Sequence, residues 1–192
     1  MAGAIALLSA CSNKDGTAPP PVPDKAVNRT SVSMPEALPA PSVDIAPASS
    51  ANLLRASGVG GIRFGMTLAQ AEQASGAKAV LPTSFDPACS MVRFPALPAL
   101  RFMLENGIVT RADAGPGVET ALGVAIGDTL AQVRARHPEV QVSAHKYDEN
   151  GHYLTFPEPD GRSAVILEES GGKVTKMRAG LLPAVAYVET CG

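Results

Sequence analysis

The sequence predicts an α+β domain in which two helices lie on one face of an antiparallel sheet. Three observations carry that expectation. Apolar residues recur at helical spacing just after Thr67 and Thr129. Alternating runs around Leu100–Asp113 and Ala164–Arg178 are each broken by a glycine-containing turn. A strand-turn-helix signature occurs twice, Ile62–Ala71 aligning with Val124–Val133 so that Gly, Thr, Leu, Ala and Gln coincide. The echo continues downstream, where Val109–Gly115 parallels Val174–Gly180. A period of roughly sixty residues makes the domain, 56–192, two tandem copies of one supersecondary unit, about 58–118 and 119–192.

Each element has a local cause. Thr67 and Thr129 are N-caps, and Gln70 and Gln132, three residues on, complete a capping box in both copies. Gly65 and Gly127 free the backbone at the turn into each helix. Leu68 with Ala71, and Leu130 with Val133, line one helical face. Gly76 ends the first helix as a C′ residue. The second stops at His137 because Pro138 disfavours helix in the residue before it. That histidine is favourably placed against the helix dipole. Leu100, Phe102 and Leu104 alternate with Arg101, Met103 and Glu105, and Asn106-Gly107 reverses the chain tightly into Ile108–Asp113. In the second copy Ala164–Glu168 turns at Ser170-Gly171-Gly172 into Lys173–Arg178. Shorter strands are expected near Cys89–Phe94 and His152–Phe156, and a last one over Ala184–Glu189.

Composition narrows the function. The 192-residue chain has a net charge of −2, so no basic field argues for nucleic acid. It has no Trp and only 4% aromatics, which speaks against stacking platforms for bases or sugars. From Ser12 to about Arg55, prolines at 19, 20, 21, 23, 35, 39, 41 and 47 interrupt Ala, Ser, Val and Thr. No helical or strand period survives such proline density, and the stretch buries too little apolar surface to offset its ordering entropy. It reads as a disordered, semi-extended tether, at most ~140 Å long if drawn out at ~3.1 Å per residue.

The first ten residues, MAGAIALLSA, are apolar or small and precede Cys11. Leu8-Ser9-Ala10-Cys11 resembles the lipobox of bacterial lipoproteins. The resemblance implies cleavage of a signal peptide 1–10 before a Cys11 that carries a diacylglycerol, with the linker running over 11–55. No Lys or Arg precedes the apolar run, so the charged n-region of such a signal is missing and the start of translation is expected elsewhere. The competing readings are an ordinary secretory signal or a buried strand. The run falls short of the ~20 apolar residues that span a bilayer. The polar Ser12 after the cysteine resembles the pattern sorted to the outer membrane. With Cys11 lipidated in an oxidising compartment, Cys89 and Cys191 remain as a disulfide pair tying both copies to the C-terminus; otherwise they are two buried free thiols.

Gly-Met-Thr opening a short helix before a meander resembles the repeat of small outer-membrane lipoproteins of the SmpA/OmlA type, which serve β-barrel assembly. The doubled form resembles the β-lactamase inhibitory protein architecture. The tail Tyr187-Val188-Glu189-Thr190-Cys191 resembles that of certain envelope lipoproteins. The match covers roughly residues 58–192.

The densest polar stretch runs from His145 to Tyr153. His145, Lys146, Tyr147, Asp148, His152 and Tyr153 are the candidate recognition residues, on a loop centred at Asp148-Glu149-Asn150-Gly151. The bland alternative is a structural loop with hydrogen-bonding side chains. Two imidazoles without a third strong ligand do not make a metal site. No nucleophile elbow or free cysteine suggests catalysis, so no catalytic residue, metal or cofactor is assigned. Arg111, Lys176 and Arg178 are expected as a stripe of solvated charges on the open sheet face, paired with Glu168 or Glu105, with an anion site as the rival reading. The expectation is a non-catalytic lipoprotein of the bacterial cell envelope, anchored in the membrane through its lipid, facing the periplasm from the outer membrane, and binding an envelope protein partner. The rival is a module for a small ligand or carbohydrate.

Overall fold

The computed structural model describes residues 52–191. The apolar start, Cys11 and nearly all of the Pro-rich stretch lie outside the described residues. Packed structure begins before the expected boundary at 56. Leu54 is fully buried, donates its N–H to the Glu119 carbonyl and accepts from Ala121, both at 2.9 Å.

The protein is α+β, with two helices and a mostly antiparallel sheet. A small hairpin of β1 (Gly58–Val59) and β2 (Ile62–Arg63) leads into α1 (Leu68–Ser75). Then come β3 (Cys89–Val92), β4 (Leu100–Glu105), β5 (Ile108–Ala114) and α2 (Leu130–Arg136). β6 (Gln141–Ala144), β7 (His152–Pro157), β8 (Ser163–Ser170) and β9 (Lys173–Leu181) complete the sheet. The order across it is β3-β4-β5-β9-β8-β7-β6, so the strands that close the two halves, β5 and β9, meet at its centre.

Both helix starts are built alike. Thr67 accepts the Gln70 N–H at 3.3 Å and donates its own N–H to the Gln70 side chain at 2.9 Å. Thr129 and Gln132 do the same at 3.2 and 2.8 Å. Gly65 (φ 95°) and Gly127 (φ 99°) take the left-handed backbone needed to enter these turns. Each donates its N–H across to the hairpin that follows its helix, Gly65 to Val109 and Gly127 to Val174, both at 2.8 Å. The helices thereby stay tied to their own hairpins.

The core lies on one face of the sheet. Phe102, Leu104, Leu154, Leu167 and Met177 form a single buried cluster with Ala71 of α1 and Val133 of α2. Each large side chain there contributes about 1.5–3 kcal/mol by leaving water. The central seam is unusually close. A Cβ at Gly180 of β9 would lie 2.3 Å from the Thr110 carbonyl oxygen and 2.8 Å from Arg111 Cα, both backbone. Gly180→Ala is therefore expected to destabilise the domain by about 2–3 kcal/mol, the cost of overpacking against atoms that cannot swing aside. Urea denaturation checks this; a loss under about 0.5 kcal/mol would mean the seam opens freely.

Two elements differ from the sequence expectation. The last segment is not a strand. Ala184–Ala186 form a 3-10 turn, and the chain then bends at Val188 and Glu189 and reaches Cys191 without pairing to the sheet. Pro183 has no N–H to offer a ladder, and Val185, fully buried, gains more by folding back onto Ala164 and Ile166 of β8. β6 has only Val142 as a large apolar residue, so no alternating run announces this edge strand. Cys89 at the start of β3 and Cys191 at the end of the returning segment are disulfide-bonded, with Cα atoms 5.4 Å apart and a sequence separation of 102. No helix among the described residues is long and apolar enough to cross a membrane.

Candidate functional site

The sheet face opposite the helices carries charge. Strand alternation sends Met177 and Ala179 of β9 to the core and Lys176 and Arg178 to the other side. The cross-strand partner of Lys176 is Glu168 of β8, and that of Arg178 on β5 is Asp113. Arg111, two residues before Asp113, faces the same way. Five ionisable side chains are thus gathered at the seam, three of them almost wholly removed from water: Arg111 and Arg178 at 3% side-chain exposure and Glu168 at 4%.

Such burial is tolerable only with partners. Arg178 donates to Glu168 through Nη1 and to the Val185 carbonyl through Nε at 2.7 Å. Arg111 grips Asp113 Oδ1 with Nε and Nη2 at 3.0 and 2.6 Å, and its Nη1 donates to the Tyr187 carbonyl at 2.7 Å. The two guanidinia therefore clamp the returning C-terminal segment onto the sheet. Lys176 adds a 3.1 Å contact to Glu168. Burial alone would push the Glu168 carboxyl up. The Lys176 hydrogen bond and the Arg178 charge outweigh it and hold that carboxyl below the usual range. Burial, with the Arg111 charge nearby, lowers Arg178, and Glu168 opposes both. The stripe of Arg111, Lys176 and Arg178 is thus internally paired. Arg111 takes Asp113 rather than Glu105, because Asp113 lies two residues along its own strand. Asp113 Oδ2 is buried and has no hydrogen-bond partner among the described residues.

The candidate recognition residues divide between the two faces. His145 stacks on Tyr153, ring centroids 4.6 Å apart, and its Nδ1 accepts the Tyr147 N–H at 3.1 Å. That leaves Nε2 to carry the proton toward Glu168, 3.5 Å away. Arg178 lies 5.6 Å over the Tyr153 ring. Tyr147 is 65% exposed, with Lys146 Nζ 4.8 Å above its ring, and both bond the carboxylate of Glu189 on the returning segment. Those bonds, Tyr147 foremost, keep Glu189 below the usual carboxylate range. Tyr147 and then Glu189 raise Lys146. Asp148 instead shapes the turn: it accepts from Ser170 and from the Asn150 N–H, which hold its carboxyl low. His152 points to the core side, its Nδ1 2.6 Å from the buried Glu169.

Between the seam, the returning segment and the His145–Tyr147 corner lies a cleft of about 560 Å³. Its walls include Arg101, Arg111, Lys176 and Glu168 on the sheet and Val188 to Cys191 on the segment. The sequence singled out the corner and, as a separate stripe, Arg111, Lys176, Arg178 and Glu168, but not that the two meet at one cleft. Asp113 and Arg101 are visible only as charged members of period-two runs, a pattern that solvated strands share. Among the described residues no group of three His, Cys, Asp or Glu is arranged to hold a metal ion.

Fold and site together define an α+β domain whose polar sheet face is strapped by its own disulfide-bonded C-terminal segment. No protein-family model matches the chain, and no curated protein matches it.

Proposed function

We propose that this protein is a non-catalytic, lipid-anchored component of the bacterial cell envelope that binds a protein partner through the rim of the charged face. The observation that carries the reading is the contrast between that face's centre and its rim. At the centre Arg111, Arg178 and Glu168 are committed to ion pairs and to the strap, and Asp113 is held by Arg111 through Oδ1. At the rim Tyr147 is 65% exposed beside Lys146, and Tyr187 on the strap is 44% exposed. Tyrosine with a cationic neighbour is the composition of interface hot spots. In this reading Cys11 carries the lipid, and the Pro/Ala-rich segment to about residue 55 spaces the domain from an outer membrane. The domain is then two copies of a helix-plus-hairpin unit, in keeping with the matched capping boxes and glycine turns. On this reading the partner is an assembly factor or a restrained enzyme, which is what the sequence resemblance to SmpA/OmlA-type and inhibitor architectures implies. A second reading, a module for a small ligand or carbohydrate, is favoured by the cleft, whose volume falls in the range of small-molecule sites.

Photo-crosslinking in the native bacterium tests the first reading. A crosslinker at Tyr147 is expected to give one discrete protein adduct, and one at Gln73, exposed on α1, none. Equal adducts at both positions, or none at Tyr147, overturn it. Mass spectrometry of the mature protein is expected to find a diacylglyceryl group on Cys11. Retention of residues 1–10 sinks the anchor.

A further inference from the structure

The returning segment is held in two different ways. Its first part is built in. Val185 is fully buried, the Ala186 N–H donates to Pro183 at 2.9 Å, and the buried arginines take the carbonyls of Val185 and Tyr187. Its second part is not. Among the described residues, no backbone group of 188–191 is hydrogen-bonded to another backbone group. What holds this part is the Glu189 carboxylate on Lys146 and Tyr147, and the bond from Cys191 to Cys89. The Glu189 pairings are exposed, and surface ion pairs are worth little. The disulfide is therefore the fastening that keeps Val188–Cys191 as a wall of the cleft.

Charge says what the opened cleft would accept. Four cations line it: Arg101, Arg111, Lys176 and Arg178. Against them stand Asp113, Glu168 and, from the wall itself, Glu189. With the wall gone, four cations stand against two carboxylates; Arg111 and Arg178 are buried in their pairs, so Arg101 and Lys176 present the excess charge. Arg101 is exposed and makes no ion pair or side-chain hydrogen bond among the described residues, and the Lys176 side chain is 72% exposed. Glu189 on Lys146 and Tyr147 shows that this corner takes a carboxylate.

We propose that the cleft is a receptor for an acidic segment of the protein partner, closed by Val188–Cys191 while Cys89–Cys191 is oxidised and opened when that bond is reduced. A dithiol reductant supplies two electrons and two protons. The Cys89–Cys191 bond breaks, both sulfurs become thiols, and the reductant leaves as its own disulfide. Both cysteines are partly exposed, so a thiolate can reach them. Glu189 then leaves Lys146, and an external carboxylate replaces it beside Arg101 and Lys176. This inference rests on the partner-binding reading and adds the partner's chemistry and the gate.

The test uses the full chain and a fluorescein-labelled polyglutamate peptide, read by anisotropy at low salt. Reduced protein is expected to bind it roughly tenfold or more tighter than oxidised protein, and Arg101→Glu to abolish that gain. Hydrogen exchange should show the hydrogen-bonded amides of Ala186 and Tyr187 still protected after reduction. Equal affinity in the two redox states overturns the gate. Indifference to Arg101→Glu overturns the site. Loss of far-UV circular dichroism on reduction also overturns the proposal, because a gate must open on a folded domain. Crosslinking from Tyr147 of the oxidised protein judges the partner-binding reading separately, whatever the peptide does.

Discussion

Glu168→Ala is expected to destabilise the domain by about 3–5 kcal/mol, the cost of leaving a buried charge without its partner. Arg178 is 3% exposed and has Glu168 as its one carboxylate partner. With that carboxylate gone, the guanidinium keeps the Val185 carbonyl, the Tyr153 ring and the charge of the cross-strand Asp113, itself held by Arg111, against the nearby positive charge of Arg111. Lys176, largely exposed, returns to water at little cost. The loss should therefore belong to Arg178. Replacing the pair together, Glu168→Leu with Arg178→Met, is expected to recover most of it, since an apolar pair needs no neutralisation. Urea denaturation of the two variants separates the cases, and equal losses would mean the pair is not the cause. The pair also sets an acid limit. The Glu168 carboxyl titrates lower in the folded protein than in the unfolded chain. Its contribution is thus complete above the ordinary carboxylate range and fades as pH falls through that range to the depressed folded value. Between about pH 7 and about pH 3 the wild type should lose more stability than Glu168→Gln, which has no such group. Parallel pH profiles would show that the carboxylate does not carry the effect.

What could be read from the sequence, and what could not, divides along the range of the interactions. Thr67 with Gln70 and Thr129 with Gln132 sit three residues apart, so the capping boxes are legible as spacing alone. Asn106-Gly107 announces its hairpin for the same reason, both residues holding positive φ in the turn. The α+β class follows from such local signals. The meeting of β5 with β9 at the centre of the sheet does not. It is set by how two helix faces share one core, and no residue of Arg111–Ala114 encodes its partner. The site was half legible. Tyr147 and His145 stand out by residue type. Their neighbours at the cleft come from β4, β5, β9 and the C-terminal segment, and Glu189 reaches Tyr147 only because Pro183 stops the last strand and turns the chain back. His152 groups with His145 by proximity in sequence, yet the six residues between them carry it onto a strand where alternation sends it to the core face beside Glu169.

Removal of the disulfide, by Cys89→Ser with Cys191→Ser, is expected to lower stability by up to about 4–5 kcal/mol while the folded sheet is retained. The magnitude follows from loop length. The bond closes a loop with a sequence separation of 102, and on the chain-entropy model such a closure removes conformations from the unfolded chain rather than adding contacts to the folded one. The folded contacts near the bond are few. Cys191 touches the Leu104 carbonyl at 3.8 Å, and Glu189 holds its exposed pairings. The loss should therefore appear with the native circular dichroism unchanged, and with a larger urea dependence, because the released chain unfolds to a more expanded state. A loss under about 1 kcal/mol, or an unchanged urea dependence, would show that the unfolded chain is not what the bond restrains. Against a typical total of about 5–15 kcal/mol, a loss of this size still leaves the core of Phe102, Leu154 and Leu167 able to hold the sheet closed in the upper part of that range. There the Arg111 and Arg178 clamps keep Ala184–Tyr187 in place, and only the four residues beyond them come free. The same bond thus acts twice, globally on the unfolded chain and locally on one wall of the cleft. Stability and access to Arg101 should change together on reduction, whereas Glu168→Ala should move stability alone.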